Sequence, residues 1–338
     1  MRKVLLATTA LVAMTSVQAA NADITISGGM DWSYYTYDDG TSAYASDGNV
    51  KIKATTTADN GITYQVYQSV GIHTGTEEDS SITVSGDFGK IQMGGQDSVI
   101  DSLDGDVSHF ANDWTNMTAN QQNKKTVQGD DAASTTTDGS DKTGTDFANS
   151  ICGNKNFQCR GEAGLYGAIG GAHHGGDGGQ KIGYVSPTIN NVTFAISSAD
   201  TTDDRLSWAA KYKNGPIAVM YAMGNEGSRD DTAYGVGVTF GDTTFRYQKG
   251  ESKDTTVGSE FQVDRTEYGI THSIGEIGLW AGASKEEEKK ADAAEFSTKG
   301  VGISYDMAPG VTLSSEYYEA SNATDSENST SVNLSVAF

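Results

Sequence analysis

Apolar and polar residues alternate with a period of two along most of this chain. In the final run, Val332, Leu334, Val336 and Phe338 are apolar, while Ser331, Asn333, Ser335 and Ala337 are polar or small. Such alternation predicts a strand with one oily and one wet face. The opening run puts Ile24, Ile26, Met30, Trp32 and Tyr34 opposite Thr25, Ser27, Asp31 and Ser33. Later runs repeat the pattern, for example Leu206, Trp208, Ala210 and Tyr212 opposite Arg205, Ser207, Lys211 and Lys213. Sixteen runs are predicted in all. The twelfth, Phe261 to His272, alternates poorly and leaves Arg265 on neither face.

The connections fall into two kinds that take turns along the chain. Short ones such as Asp59-Asn60-Gly61, Asn214-Gly215-Pro216 and Ala308-Pro309-Gly310 carry the residues that tight hairpins need. Long polar ones are predicted at 38–49, 73–79, 98–180, 199–204, 224–232, 249–260, 285–296 and 320–328. Short turns at one rim and long loops at the other are the pattern of a transmembrane β-barrel, whose strands must alternate between lipid and water. A β-sandwich lacks that parity. Tyrosines such as Tyr64, Tyr221, Tyr234, Tyr247 and Tyr317 fall on the apolar side, as an interfacial girdle requires.

Composition narrows the reading. Arg2 and Lys3, the apolar stretch Val4 to Met14 and the small residues Ala20-Asn21-Ala22 predict a secretory leader over 1–22, cleaved before Asp23. The net charge of −22 argues against nucleic acid as a partner. Three prolines in the whole chain suit long paired strands. Cys152 and Cys159 are the two cysteines, and a disulfide closing a small loop is the default for an exported chain.

From Asp23 to Phe338 the chain resembles the general porins of the Gram-negative outer membrane, especially alphaproteobacterial ones. The resemblance rests on the order and spacing of DITISGGMDWSYYTY, GDFGKIQMGGQD, IGYVSPTINNVTFAISSA, LSWAAKYKNGPIAVMYAMG and the terminal Phe338. It implies an all-β, 16-stranded antiparallel barrel in the outer membrane, usually a homotrimer, through which ions and small hydrophilic solutes diffuse. It also implies that the third long loop, 98–180, folds into the lumen, and that Phe338 is read by the barrel-assembly machinery. By family position Asp97, Asp101, Asp104 and Asp106 are expected at the constriction.

Opposing cations are expected on the inward faces at Lys51, Lys53, Arg205 and Arg246, whereas Lys211 and Lys213 lie near a short turn and are expected to line the exit. The excess of acid predicts a cation-preferring lumen. Asp101, Asp104 and Asp106 also form a loose carboxylate group of the type that holds Ca²⁺, although its spacing misses the EF-hand pattern. No other cofactor is expected. No nucleophile elbow or zinc helix motif marks an enzyme. A substrate-selective pore, a loop-plugged surface barrel or adhesin, and a secreted glycan-binding β-protein are the alternative readings.

Overall fold

The computed structural model describes residues 22–338 apart from 39, 41, 73–74, 76, 96–98, 105, 108–180, 200–204, 227–228, 255–260, 290–294 and 323–325. Sixteen strands, β1 to β16, follow one another in chain order and close into a single antiparallel barrel in which β1 also pairs with β16. Every strand therefore pairs with its neighbours in sequence, the simplest up-and-down topology. Closure matters because an open edge in lipid leaves backbone donors and acceptors unpaired at several kcal/mol each.

Four strands frame the seam: β1 (Asp23–Tyr37), β2 (Ser42–Thr57), β15 (Val311–Asn322) and β16 (Ser326–Ala337). The seam runs from Gly29 opposite Ala337 to Tyr37 opposite Ser329. It ends in a reciprocal pair, with the amide of Gly28 donating to the carbonyl of Phe338 at 3.0 Å and the amide of Phe338 donating back at 2.9 Å. A side chain at Gly28 would sit 2.5 Å from the carbonyl of Asn49 and 3.0 Å from the Phe338 ring, so only glycine fits.

The faces follow the alternation. Ile26, Trp32, Leu206, Val219, Tyr234, Ile303, Leu313 and Leu334 are exposed on the outer surface. Inward positions of the same strands are polar or small, among them Ser207, Ala209, Ala222, Ser314 and Ser331, all buried. The hydrophobic surface of this protein thus lies outside, as a lipid-facing barrel demands. The hairpins at one rim are tight, with Gly61, Gly215, Gly241, Gly275 and Gly310 at positive φ.

The expected loops at the other rim are shorter than their polar sequence suggested. Strand β2 already begins at Ser42, and the pairs β9 (Ile217–Glu226) with β10 (Arg229–Phe240), and β13 (Ile277–Glu288) with β14 (Glu295–Ala308), continue well into the predicted loops. The ladder persists past the apolar band because hydrogen bonding needs no hydrophobic side chains, whereas alternation is enforced only where lipid is present. The same reason explains β12 (Phe261–Ile274). Its upper half carries polar Asp264 and Thr266 outside, and Arg265 turns inward, buried and ion-paired with Glu267.

One connection does remain long, that between β5 (Gly89–Gly94) and β6 (Lys181–Val185). Of it, the described residues include a single helical turn, Asp101–Asp104, and the segment that leads on to Val107.

Candidate functional site

The inner wall on β6 to β10 is built from small side chains. Gly183 on β6, Ala195 on β7 (Val192–Ala199), Ala209 on β8 (Arg205–Asn214), Ala218 and Ala222 on β9, and Ala233 and Gly237 on β10 all point inward. This shelf is where the beginning of the long connection rests. Val99, Ile100, Leu103 and Val107 are buried and cluster with Ala195, Ala209, Ala218, Met220, Ala222 and Ala233. A Cβ at Gly183 would meet Val99 Cγ2 at 2.5 Å, and one at Gly237 would collide with the backbone carbonyl of Asp106. The described part of the segment therefore lies inside the barrel, against one wall. Placing a valine at Gly237 should unseat it while leaving the ladder intact. Single-channel noise should then rise with unchanged heat-modifiable gel mobility; an unaltered current would show that the segment does not border the conducting path.

At the end of this segment Asp106 meets the wall. Its Oδ1 accepts a hydrogen bond from Lys213 Nζ at 2.8 Å, and Oδ2 pairs with Lys211 Nζ. Both lysines project from β8 near its short turn. Arg246 on β11 (Thr243–Asp254) feels the same carboxylate and donates from Nη1 to Thr271 Oγ1 at 3.4 Å. Two recesses flank the ion cluster and share Asp106 and Lys213. One of about 320 Å³ reaches Gly215, Pro216 and Arg246; the other, about 410 Å³, reaches Leu103, Thr188 and Lys211.

Enclosure in the lumen pushes the Asp106 carboxyl up, but the hydrogen bonds and charges of Lys211 and Lys213 outweigh it and hold the group below the ordinary carboxylate range. A depressed folded value means that the pairing is intact above the ordinary aspartate pKa of about 3.9 and is lost as pH falls through the lower value. Acidification below that range should therefore loosen the segment, seen as a pH-dependent change in channel noise. Asp106→Asn should lack the transition; a variant that retains it would assign the effect to another group.

The arrangement departs from the expected one in a specific way. Asp106 is bound directly to Lys211 and Lys213 on the wall that the segment rests against, so these two lysines hold the segment. Of the expected basic wall, Arg246 joins this cluster. Lys51 and Lys53 lie on β2, inward and exposed, on the far side of the ring. Arg205 begins β8 opposite Glu226, and Asp101 and Asp104 bound the helical turn, but the side chains of all three lie outside what is described. Asp97, Cys152, Cys159 and residues 1–21 of the expected leader lie outside the described residues altogether. Of the three carboxylates expected as a Ca²⁺ group, only the Asp106 side chain is described, and each of its oxygens meets a lysine ammonium.

Three inward features escaped sequence reading: the glycine–alanine shelf, the lysine pair as a latch, and Trp280 of β13 lying 5.4 Å from Tyr318 of β15 between ring centroids. The shelf did leave a signal, since Gly, Ala or Ser recurs at inward positions of five successive strands, among them Gly183, Ala195, Ser197, Ser207, Ala209, Ala222, Ala233 and Gly237.

A closed sixteen-stranded ring, oily outside and polar within, defines an outer-membrane channel barrel. A family model described as Gram-negative porin matches residues 7–325. The chain belongs to the Gram-negative porin family, and its place is the outer membrane. No curated protein matches it. Among solved structures, OmpT, an outer membrane protein of Vibrio cholerae, superposes with a TM-score of 0.68 at 11% identity, covering 95% of this chain and 99% of that one. The anion-selective porin from Comamonas acidovorans gives 0.63 at 14%, with 94% and 100% covered. A mutant of the Rh. blastica porin gives 0.59 at 16%, again with 94% and 100% covered. At such identities the likeness is one of fold.

Proposed function

We propose that this porin is a general diffusion channel, passing ions and small hydrophilic solutes down their gradients, with cations preferred. The observation that carries the reading is the inner wall: a ring of sixteen strands turned polar side inward, with a loop segment fastened to one side of it. The preference for cations rests on the net charge of −22 and on Asp31 and Asp47, which stand directly opposite each other on the inward faces of β1 and β2. Two like charges so placed are unfavourable in a sheet and are relieved by attracting cations. The Lys211–Lys213–Arg246 group works locally in the other direction, and Asp106 offsets part of it.

The proposed mechanism needs no cofactor and makes or breaks no bond. Residues 1–22 are removed on export, Cys152 and Cys159 form a disulfide in the oxidising compartment, and Phe338 is the assembly signal. The working form is a homotrimer. A structure of Vibrio cholerae OmpT is described as a trimer form. On this chain Gln68 of β3 (Thr63–Gly71) and Ser80 of β4 (Glu77–Gly86) face each other on the outer surface beside Ile52. Polar groups at that depth are better served by a protein neighbour than by lipid. Elsewhere, outward Ser315 satisfies itself by donating to the carbonyl of Ser331 at 3.0 Å.

Planar-bilayer recording of the purified protein tests the reading. Conductance should appear in steps grouped in threes, and the reversal potential in a KCl gradient should have the cationic sign. A silent bilayer would refute the channel, and an anionic sign would refute the preference.

A further inference from the structure

A row of inward residues crosses the wall at the level of the Asp106 clasp. Lys213 of β8 stands opposite Ala218 of β9, Ala218 opposite Gly237 of β10, and Gly237 opposite Arg246 of β11. The row reads cation, small, small, cation. Neighbouring strands lie about 4.8 Å apart, so about 14 Å separates the Lys213 and Arg246 backbones. Like charge keeps these two side chains from meeting. Ala218 and Gly237 raise almost nothing into the space between them, and the recess of about 320 Å³ that reaches Arg246 lies there. That volume is at the lower end of the range of about 300–1,000 Å³ typical of small-ligand sites. One level nearer the short turns, Thr239 and Thr244 face each other across β10 and β11 and line the same recess, their hydroxyls 3.0 Å apart.

The recess holds more donors than acceptors. A guanidinium has five N–H groups. Among the described residues Arg246 uses one of them, toward Thr271 Oγ1 at 3.4 Å, and its Nε is buried without a partner. A buried donor stays unfavourable until an acceptor reaches it. Whichever threonine hydroxyl accepts within the pair keeps its own proton for a guest. Charge is unbalanced in the same sense. Lys211, Lys213 and Arg246 gather round one described carboxylate, Asp106, which sits at the edge of the recess and holds the two lysines.

We infer that this recess binds the phosphate group of a small phosphate monoester: Arg246 grips two phosphate oxygens, and Lys213 with the threonine hydroxyls meets the third. The planar guanidinium fork fits phosphate bidentately. A carboxylate, once gripped in that way, has no third oxygen for Lys213 and the hydroxyls. A monoester phosphate also carries about 1.5–2 negative charges at neutral pH, which answers the excess of cations here. The guest and Asp106 compete for Lys213, so removing the Asp106 charge favours the guest. The inference rests on the inward faces of β8 to β11; it needs neither conduction nor a cation-preferring bore.

Isothermal calorimetry of the purified protein in a neutral detergent, titrated at fixed ionic strength with glycerol 3-phosphate or with acetate, tests it. Glycerol 3-phosphate should give a saturable heat at one site per chain, about tenfold tighter than acetate. Arg246→Gln should weaken it about tenfold, and Arg246→Lys, which keeps the charge and loses the fork, should recover only part of that loss. Asp106→Asn should tighten it about fivefold, since one repelling charge is removed. Heat-modifiable gel mobility reports that each variant folds; Arg246→Lys and Asp106→Asn carry the test should Arg246→Gln not fold. Glycerol 3-phosphate bound no better than acetate, or unchanged binding in folded Arg246→Gln, would overturn the site. Full recovery in Arg246→Lys would overturn the two-oxygen grip. Weaker or unchanged binding in Asp106→Asn would overturn the placing of the guest beside Lys213. Binding by a protein that is silent in bilayers would leave this site standing while refuting the channel.

Discussion

Ile303→Arg should nearly abolish recovery of the folded barrel, whereas Ser304→Arg, one residue away, should fold and reach the membrane. Ile303 lies on the outer face of β14, half exposed to what is lipid in the cell, with Leu279 of β13 opposite. A cation on a lipid face costs about 2–4 kcal/mol near the bilayer midplane. Against a net stability of about 5–15 kcal/mol for ordinary domains, that is a large share. Ser304 points into the lumen, where water solvates an added charge at little cost. Heat-modifiable gel mobility of refolded protein, with urea titration of the fraction folded, measures both variants. Equal behaviour of the two would contradict the assignment of faces along β14, and with it the orientation of the whole ring, since one residue of slippage exchanges inside for outside.

Asp106→Asn should move the channel toward anions. The substitution keeps the size of the side chain and removes the one described carboxylate bound to Lys211 and Lys213, so that their charge and that of Arg246 act on the bore undiminished. Asp106 is about a third exposed, so the change in local potential is the small one of a solvent-screened pair, about 0.5–1 kcal/mol. That corresponds to about a two- to fivefold fall in the cation-to-anion permeability ratio. Reversal potentials in a KCl gradient read it directly. Lys211→Gln with Lys213→Gln should shift the ratio the other way. A ratio unmoved in both variants would mean that permeating ions do not pass near this cluster.

The barrel was legible in the sequence because lipid imposes a rule on every second residue. Leu206, Trp208 and Tyr212 had no other face to occupy, and glycine at tight turns marked which rim was which. Legibility stopped where the rule stops. Above the apolar band the strands pair without alternating, so Ser42–Asn49 read as loop although it is strand. Arg265 had no apolar neighbours to orient it. The latch was illegible for a different reason. That Asp106 meets Lys211 and Lys213 depends on how a loop segment crosses five strands, and no period in the chain encodes a contact between residues 107 positions apart. Within the acidic run, apolar Val99, Ile100 and Leu103 pack against the wall.

The segment from Val99 to Val107 touches the cylinder through small side chains and one ionic clasp, without joining its ladder. Insert and frame are therefore separable parts, like a gasket seated in a cask whose staves bear the load. On the proposed reading, substitutions in the gasket change what passes through the bore, whereas substitutions in the staves change whether the cask holds together.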